Sequence, residues 1–128
     1  MAQKIIQAYY GTVVNMLSSS FTGKAAEELV ASYLKRNKHK IIEMNWRTRW
    51  CEIDIISRTK TCVFFTEVKY RSSDAWGEGM NYITDKKLKQ MKFAAEMWLH
   101  DSNWKFDATL QAASVDHKND IEIIELYT

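Results

Sequence analysis

The sequence predicts an α/β fold, a central mixed β-sheet flanked by helices in the order helix, three strands, helix, two strands. Three observations predict it. Two segments repeat apolar residues at helical spacing, separated by an irregular polar stretch. Five others are short, apolar and bounded by polar residues, the pattern of strands. Finally, 128 residues with 46% apolar and 27% charged side chains suffice for one domain with its own core. There is no proline and there are only four glycines, which argues against a flexible linker between domains.

Residues 1–20 are expected to form an N-terminal arm or short helix, and residues 21–128 the folded domain. "SSSFTGKAAEELVASYLKRN" reads as the first helix. Ser20 or Thr22 can cap it, and Ala26, Leu29, Val30, Tyr33 and Leu34 form its apolar stripe. "KIIEMNW" is the first strand. Residues 51–57 and 61–70 then form a hairpin, in which "CVFF" reads as strand buried on both faces. "RSSDAWGEGMNY" is a loop. Thr84 is the expected N-cap of a second helix over 85–100, with Leu88, Met91, Ala95, Trp98 and Leu99 on one face. "KFDATLQAAS" and "DIEIIELY" are the closing strands.

Composition excludes some classes of function. Cys51 and Cys62 form neither a CxxC pair nor a zinc pattern. No secretory signal is visible in the first twenty residues, and no apolar run reaches transmembrane length. A cytoplasmic protein with reduced thiols and no membrane partner is the expectation. The net charge of +2 decides little, because nucleic-acid binding depends on where cations cluster. Two clusters exist, "KRNKHK" and "DKKLKQMK". Solvated helix ends are the commoner meaning of such runs. His39, His100 and His117 are scattered and read as surface residues, and the cysteines as buried small hydrophobes.

The hairpin carries charges that a pure core hairpin would not. Glu52 and Asp54 share one face of its first strand, and Glu67, Lys69 and Arg71 share one face of its second. A turn centred between Lys60 and Thr61 sets Asp54 opposite Glu67 and Glu52 opposite Lys69. Two carboxylates then meet at roughly 5 Å between Cβ atoms, which is unfavourable alone. A divalent cation reverses that sign, because Mg²⁺ favours one or two carboxylates with waters and phosphate oxygens. Lys69 projects on the same side, towards a phosphate or a water. The alternative is a polar outer face with an ordinary Glu52–Lys69 ion pair.

Helical geometry selects two further residues. Glu27 falls at the edge of the first helix's apolar stripe beside Val30 and Leu34, whereas Glu28 faces solvent. On the second helix Lys87 lies at the stripe's edge beside Trp98, and Lys86 lies outside. Edge positions also suit ordinary snorkelling side chains.

Taken in order, "GKAAEELVASYL", "NWR", "EIDII", "VFFTEVKYR", Thr84 to Lys87 in "TDKK", and "FD" at Phe106–Asp107 resemble the YraN-like family of bacterial proteins. The resemblance spans about residues 23–127. That family is similar to the restriction-endonuclease-like, or PD-(D/E)xK, superfamily, and in style to Holliday-junction resolvases. The resemblance implies Glu27 as the helix acid, Asp54 as the superfamily aspartate, Glu67-Val68-Lys69 as the (D/E)xK triplet and Lys87 as the lysine of the second helix. Two features depart from the family pattern: Cys51 stands where a glycine usually precedes the acidic pair, and the N-terminal arm is extra.

The function expected is metal-dependent hydrolysis of nucleic-acid phosphodiesters, DNA before RNA, with selectivity for branched or junction forms. Asp54 and Glu67 are expected to ligate Mg²⁺ or Mn²⁺ with the Val68 carbonyl, and Glu27 to complete the shell. Lys69 acts on the water or the developing charge. Lys87, Arg71 and Arg47 are candidate phosphate contacts, Trp76 a candidate stacking residue, and Glu52 a supporting acid. The alternative is a nucleic-acid-binding module of the same fold without cleavage. A homodimer is a further expectation, because a four-way junction has two-fold symmetry and Phe93 and Met97 lie off the second helix's main stripe.

Overall fold

The computed structural model describes residues 5–7, 22–71 and 83–126. Its elements are β1 (Ile5–Gln7), α1 (Thr22–Arg36), β2 (Lys40–Arg47), β3 (Glu52–Arg58), β4 (Cys62–Tyr70), α2 (Asp85–Ser102), β5 (Asp107–Val115) and β6 (Ile121–Leu126). The predicted order of helix, three strands, helix and two strands is the one found. The three-residue β1 is an addition: part of the N-terminal arm pairs antiparallel with β6, Ile6 opposite Glu122.

The sheet order is β1-β6-β5-β4-β3-β2. Every neighbouring pair is antiparallel except β4 and β5, which run parallel over nine residue pairs from Cys62↔Asp107 to Tyr70↔Val115. A parallel pair needs a crossover, and α2 lies within it. The chain therefore leaves the end of β4, and α2 begins on its return to β5.

The helices cover opposite faces. The predicted stripe of α1, Ala26, Leu29, Val30, Tyr33 and Leu34, is buried in one cluster with Ile55, Ala113, Val115, Ile121 and Ile123. On the other face Met91, Ala94 and Ala95 of α2 pack with Ile53, Ile56, Val63, Phe65 and Leu110. Alternation along the strands divides these sets, with Leu110 under α2 and Ala113 and Val115 under α1. In β4, Val63 and Phe65 are fully buried and Phe64 is half-buried, so its interior is covered on both sides.

The helix ends explain part of the local sequence. The Thr84 side chain accepts a hydrogen bond from the Lys87 backbone N–H at 3.1 Å, the N-cap expected. Both helices end on a left-handed residue, Lys38 with φ 69° and Asn103 with φ 57°. The next backbone N–H then reaches back over the last turn, His39 to the Leu34 carbonyl and Trp104 to the Leu99 carbonyl. The basic run "KRNKHK" is thus first of all a helix terminus.

One strand departs from regular alternation. Met44 and Ile55 are paired and pack under α1, whereas Trp46 and Ile53 are paired and pack under α2. Residues two apart in a regular strand share a face, so both strands switch sides between these pairs. Asn45, at the switch in β2, has φ 54°, a left-handed conformation that asparagine tolerates better than most residues. The residue facing it in β3 is Asp54. A second irregularity, between Ile41 and Glu43, marks the start of β2.

Two minor expectations are corrected. His39 is half-buried, its ring 4.6 Å from that of Phe64 and its Nδ1 2.9 Å from Ser57 Oγ. Burial lowers its pKa. Cys51 and Cys62 are free thiols and only half-buried. No helix among the described residues is long and apolar enough to cross a membrane.

Candidate active site at the end of the central hairpin

The hairpin register centres where the sequence places it. Ile55 pairs with Thr66, Ile56 with Phe65, Ser57 with Phe64 and Arg58 with Val63. Continued by one step, this register sets Asp54 opposite Glu67. The ladder itself stops at Ile55↔Thr66. Beyond it the Val68 backbone N–H donates to Asp54 Oδ2 at 2.8 Å, so a side chain replaces the next backbone bond. The acids therefore sit where β3 and β4 stop pairing with each other, at the rim of the sheet.

Asp54 and Glu67 are the centre of the site. The two carboxyl groups lie close enough for each to oppose the ionisation of the other. Burial first, and the Glu67 charge second, push the Asp54 pKa up to about 7 from 3.8, while the Val68 N–H opposes them. Glu67 is buried, with 7% of its side chain exposed, and carries two lysines. Lys87 Nζ from α2 lies 3.4 Å from Glu67 Oε2, and Lys69 Nζ from its own strand lies 3.7 Å away. The alternation of β4 turns Glu67 and Lys69 towards the face that α2 covers.

Glu27 approaches from α1. It is half-buried, and Glu28 beside it is exposed, as the helical wheel predicts. Burial and the negative charge of Asp54 raise its pKa, while a hydrogen bond with the Asn45 side chain lowers it. Asn45 thus ties the strand switch to the helix acid. Sequence reasoning missed this residue, although it lies inside the "NWR" motif. Asparagine, which after glycine best tolerates a left-handed backbone, was the available signal.

The remaining candidates divide. Glu52 does not meet Lys69 as expected; it pairs with Arg47 at 3.2 Å. Arg47 is largely exposed, with 69% of its side chain accessible, and projects from the end of β2. Arg71 is buried, and its backbone N–H bonds to the Val115 carbonyl at 2.7 Å. Arg71 thus lies at the end of the β4–β5 pairing with little of its surface exposed. Trp76 lies outside the described residues.

These donors suit a hard cation. Among the described residues no three His, Cys, Asp or Glu side chains gather closely enough to hold a metal by themselves. Asp54 and Glu67 supply two carboxylates and Val68 a neighbouring carbonyl, leaving positions for water and substrate oxygens. That is the usual manner of Mg²⁺, which keeps several waters and binds through one or two carboxylates. A half-buried Asp54 beside a buried Glu67 marks a place where positive charge is favoured.

The fold and site define a small α/β protein with an acid–acid–lysine cluster at the rim of a mixed sheet. The chain belongs to the uncharacterised protein family UPF0102, whose profile matches residues 26–121 and so spans every member of the cluster. This is the YraN-like family to which the motifs point. A UPF0102 protein of Nitrosomonas europaea is 36% identical over 113 residues, covering 85% of this chain and 94% of the relative. Others from Geobacter metallireducens and Cytophaga hutchinsonii are 39% and 36% identical over 83 residues. Each of those matches covers 65% of this chain, with 68% and 74% of the respective relative.

Proposed function

We propose that this protein is a metal-dependent nuclease of the restriction-endonuclease-like type, hydrolysing phosphodiester bonds of DNA. One observation carries the reading: the pair of half-buried Asp54 and buried Glu67, with Lys69 and Lys87 both within 4 Å of Glu67. A purely structural hairpin would gain little from two acids facing each other at a buried rim.

Asp54 and Glu67, with the Val68 carbonyl, would hold Mg²⁺ or Mn²⁺. Such an ion supplies Lewis-acid polarisation of a phosphate and lowers the pKa of water. The chain's own groups do the rest. The Val68 N–H fixes one oxygen of Asp54, so the carboxylate is oriented before ligand arrives. Lys69 stands where it can orient the attacking water or offset charge gathering on the phosphate oxygens. Lys87 shares Glu67 with it and brings a second cation from α2. Glu27, held by Asn45, adds negative charge on the α1 side. Water attacks phosphorus, the bond to the leaving sugar oxygen breaks, and that oxygen takes up a proton. The products are a phosphate monoester and a hydroxyl end.

The test is cleavage of labelled linear, flapped and four-way-junction DNA with Mg²⁺ or Mn²⁺, wild type beside Lys69→Ala. Cleavage by the wild type, falling about 100-fold or more in the variant, is expected from loss of a charge-stabilising group. A wild type that binds these DNAs but cuts none with either cation overturns the reading and leaves a binding module.

A further inference from the structure

A groove of about 630 Å³ lies between the β2–β3 turn and α2. Trp50, Cys51, Lys86, Lys89, Gln90 and Phe93 line it. Its floor is aromatic and open: Trp50 is 62% and Phe93 48% exposed, and their rings meet edge to face at 6.1 Å. Exposed aromatic pairs of this kind are unusual on a protein surface and mark contact sites. The turn is built to present Trp50. Thr48 Oγ1 accepts from the Trp50 and Cys51 backbone N–H groups at 3.1 Å each, and the Thr48 N–H donates to the Cys51 carbonyl at 2.8 Å.

Charge identifies the occupant. Lys86 and Lys89 stand on α2 at the groove's margin, and the Arg49 guanidinium lies 5.4 Å from the Trp50 ring centroid. Two copies of this surface brought face to face would oppose like charges, which disfavours self-association there. A strand of nucleic acid matches both parts, its bases stacking on aromatic rings and its phosphates meeting the cations. The groove and the site draw on the same two stretches of chain, since Cys51 precedes Glu52 and Lys86 precedes Lys87. Within a duplex both faces of a base are covered by its neighbours, so only an unpaired base can use the groove.

We propose that the Trp50–Phe93 groove binds an unpaired nucleobase next to the scissile phosphate, making nucleic acid with a single-stranded segment the substrate class. This rests on the nuclease reading for the phosphate's fate, but not for binding. Duplex lacking such a segment engages only the cations.

The test is fluorescence anisotropy with labelled oligothymidylate and a blunt duplex at one salt concentration. Wild type is compared with Trp50→Ala, Trp50→Phe and Phe93→Ala. Loss of one stacking partner is expected to weaken oligothymidylate binding about ten-fold, several times more than duplex binding. Trp50→Phe should retain most of the affinity. Because the two alanine variants alter different elements and exposed side chains, unfolding midpoints near wild type will show that the fold persists. Equal losses on both nucleic acids, or none on either, overturn the proposal. So does a wild-type dimer that Trp50→Ala converts to monomer in sedimentation, since a second copy then fills the groove. Trp50-dependent binding without cleavage by the wild type upholds the groove and rejects the nuclease; cleavage that ignores Trp50 and Phe93 does the reverse.

Discussion

Replacing Asp54 by asparagine is expected to make the metal-free protein more stable, by a margin that grows from about pH 4 to about pH 7. The Asp54 pKa is pushed up from 3.8 to about 7, chiefly by burial and then by Glu67. A carboxyl whose folded pKa exceeds its unfolded value binds more protons in the native state between the two values. Stability therefore falls as pH rises from about 4 to about 7, and the penalty is complete above that range. At about 1.4 kcal/mol for each pH unit, ionised Asp54 costs at most about 4 kcal/mol at pH 8. Asparagine carries no charge, can still accept from the Val68 N–H, and can donate its amide to Glu67. Asp54→Asn should gain about 2–4 kcal/mol at pH 8 and nothing at pH 4. Urea unfolding in EDTA at both pH values measures this, provided the slope with denaturant is unchanged. A difference between the proteins that does not vary with pH would refute the reasoning, as would a less stable variant at pH 8.

Further outcomes follow from the same site and core. Wild type should bind Mn²⁺ more tightly as pH rises towards 7 and above, because Asp54 must lose its proton to ligate, and Asp54→Asn should lose most of that affinity; calorimetry in which the variant binds as well as wild type removes Asp54 as a ligand. Asn45→Gly keeps the left-handed backbone but deletes the bond to Glu27, so cleavage should fall while the unfolding midpoint moves little. Asn45→Val should instead destabilise by about 1–2 kcal/mol, because a branched residue resists that conformation. A midpoint indifferent to valine would show that the strand relaxes. Phe65→Ala, deep under α2 and edge to face with Trp98 at 5.6 Å, should cost about 3–5 kcal/mol in urea unfolding.

The site was legible where it follows local periodicity. The apolar stripe of α1 singled out Glu27 over Glu28, the short turn at Lys60 and Thr61 fixed the hairpin register, and Thr84 announced the start of α2. These depend on neighbours in sequence, so a pattern suffices. What escaped depends on distant partners. Glu52 was expected on Lys69, but Arg47 across the β2–β3 pair claims it. Arg71 is a cation by composition but has little of its surface exposed, because β4 still follows β5 there. The switch at Asn45 needed knowledge that Met44 and Trp46 serve different cores. Trp50 looked like one tryptophan among five until the Thr48 turn set it against Phe93.

The irregular course of β2 has a consequence for the protein's company. β2 is an outermost strand, and an outermost strand offers unpaired backbone groups to any chain that can run alongside. Here the offer is spoiled. The shift near Ile41 and the left-handed Asn45 break its line, and the exposed Lys40, Glu43 and Arg47 keep its flank wet. Sheet-to-sheet fusion through this flank is disfavoured, so crowded or concentrated protein should stay dispersed. Straightening the strand with Asn45→Val together with Lys40→Thr and Glu43→Thr should remove that safeguard, and light scattering that stays flat on concentration would show that the kinks had never provided it.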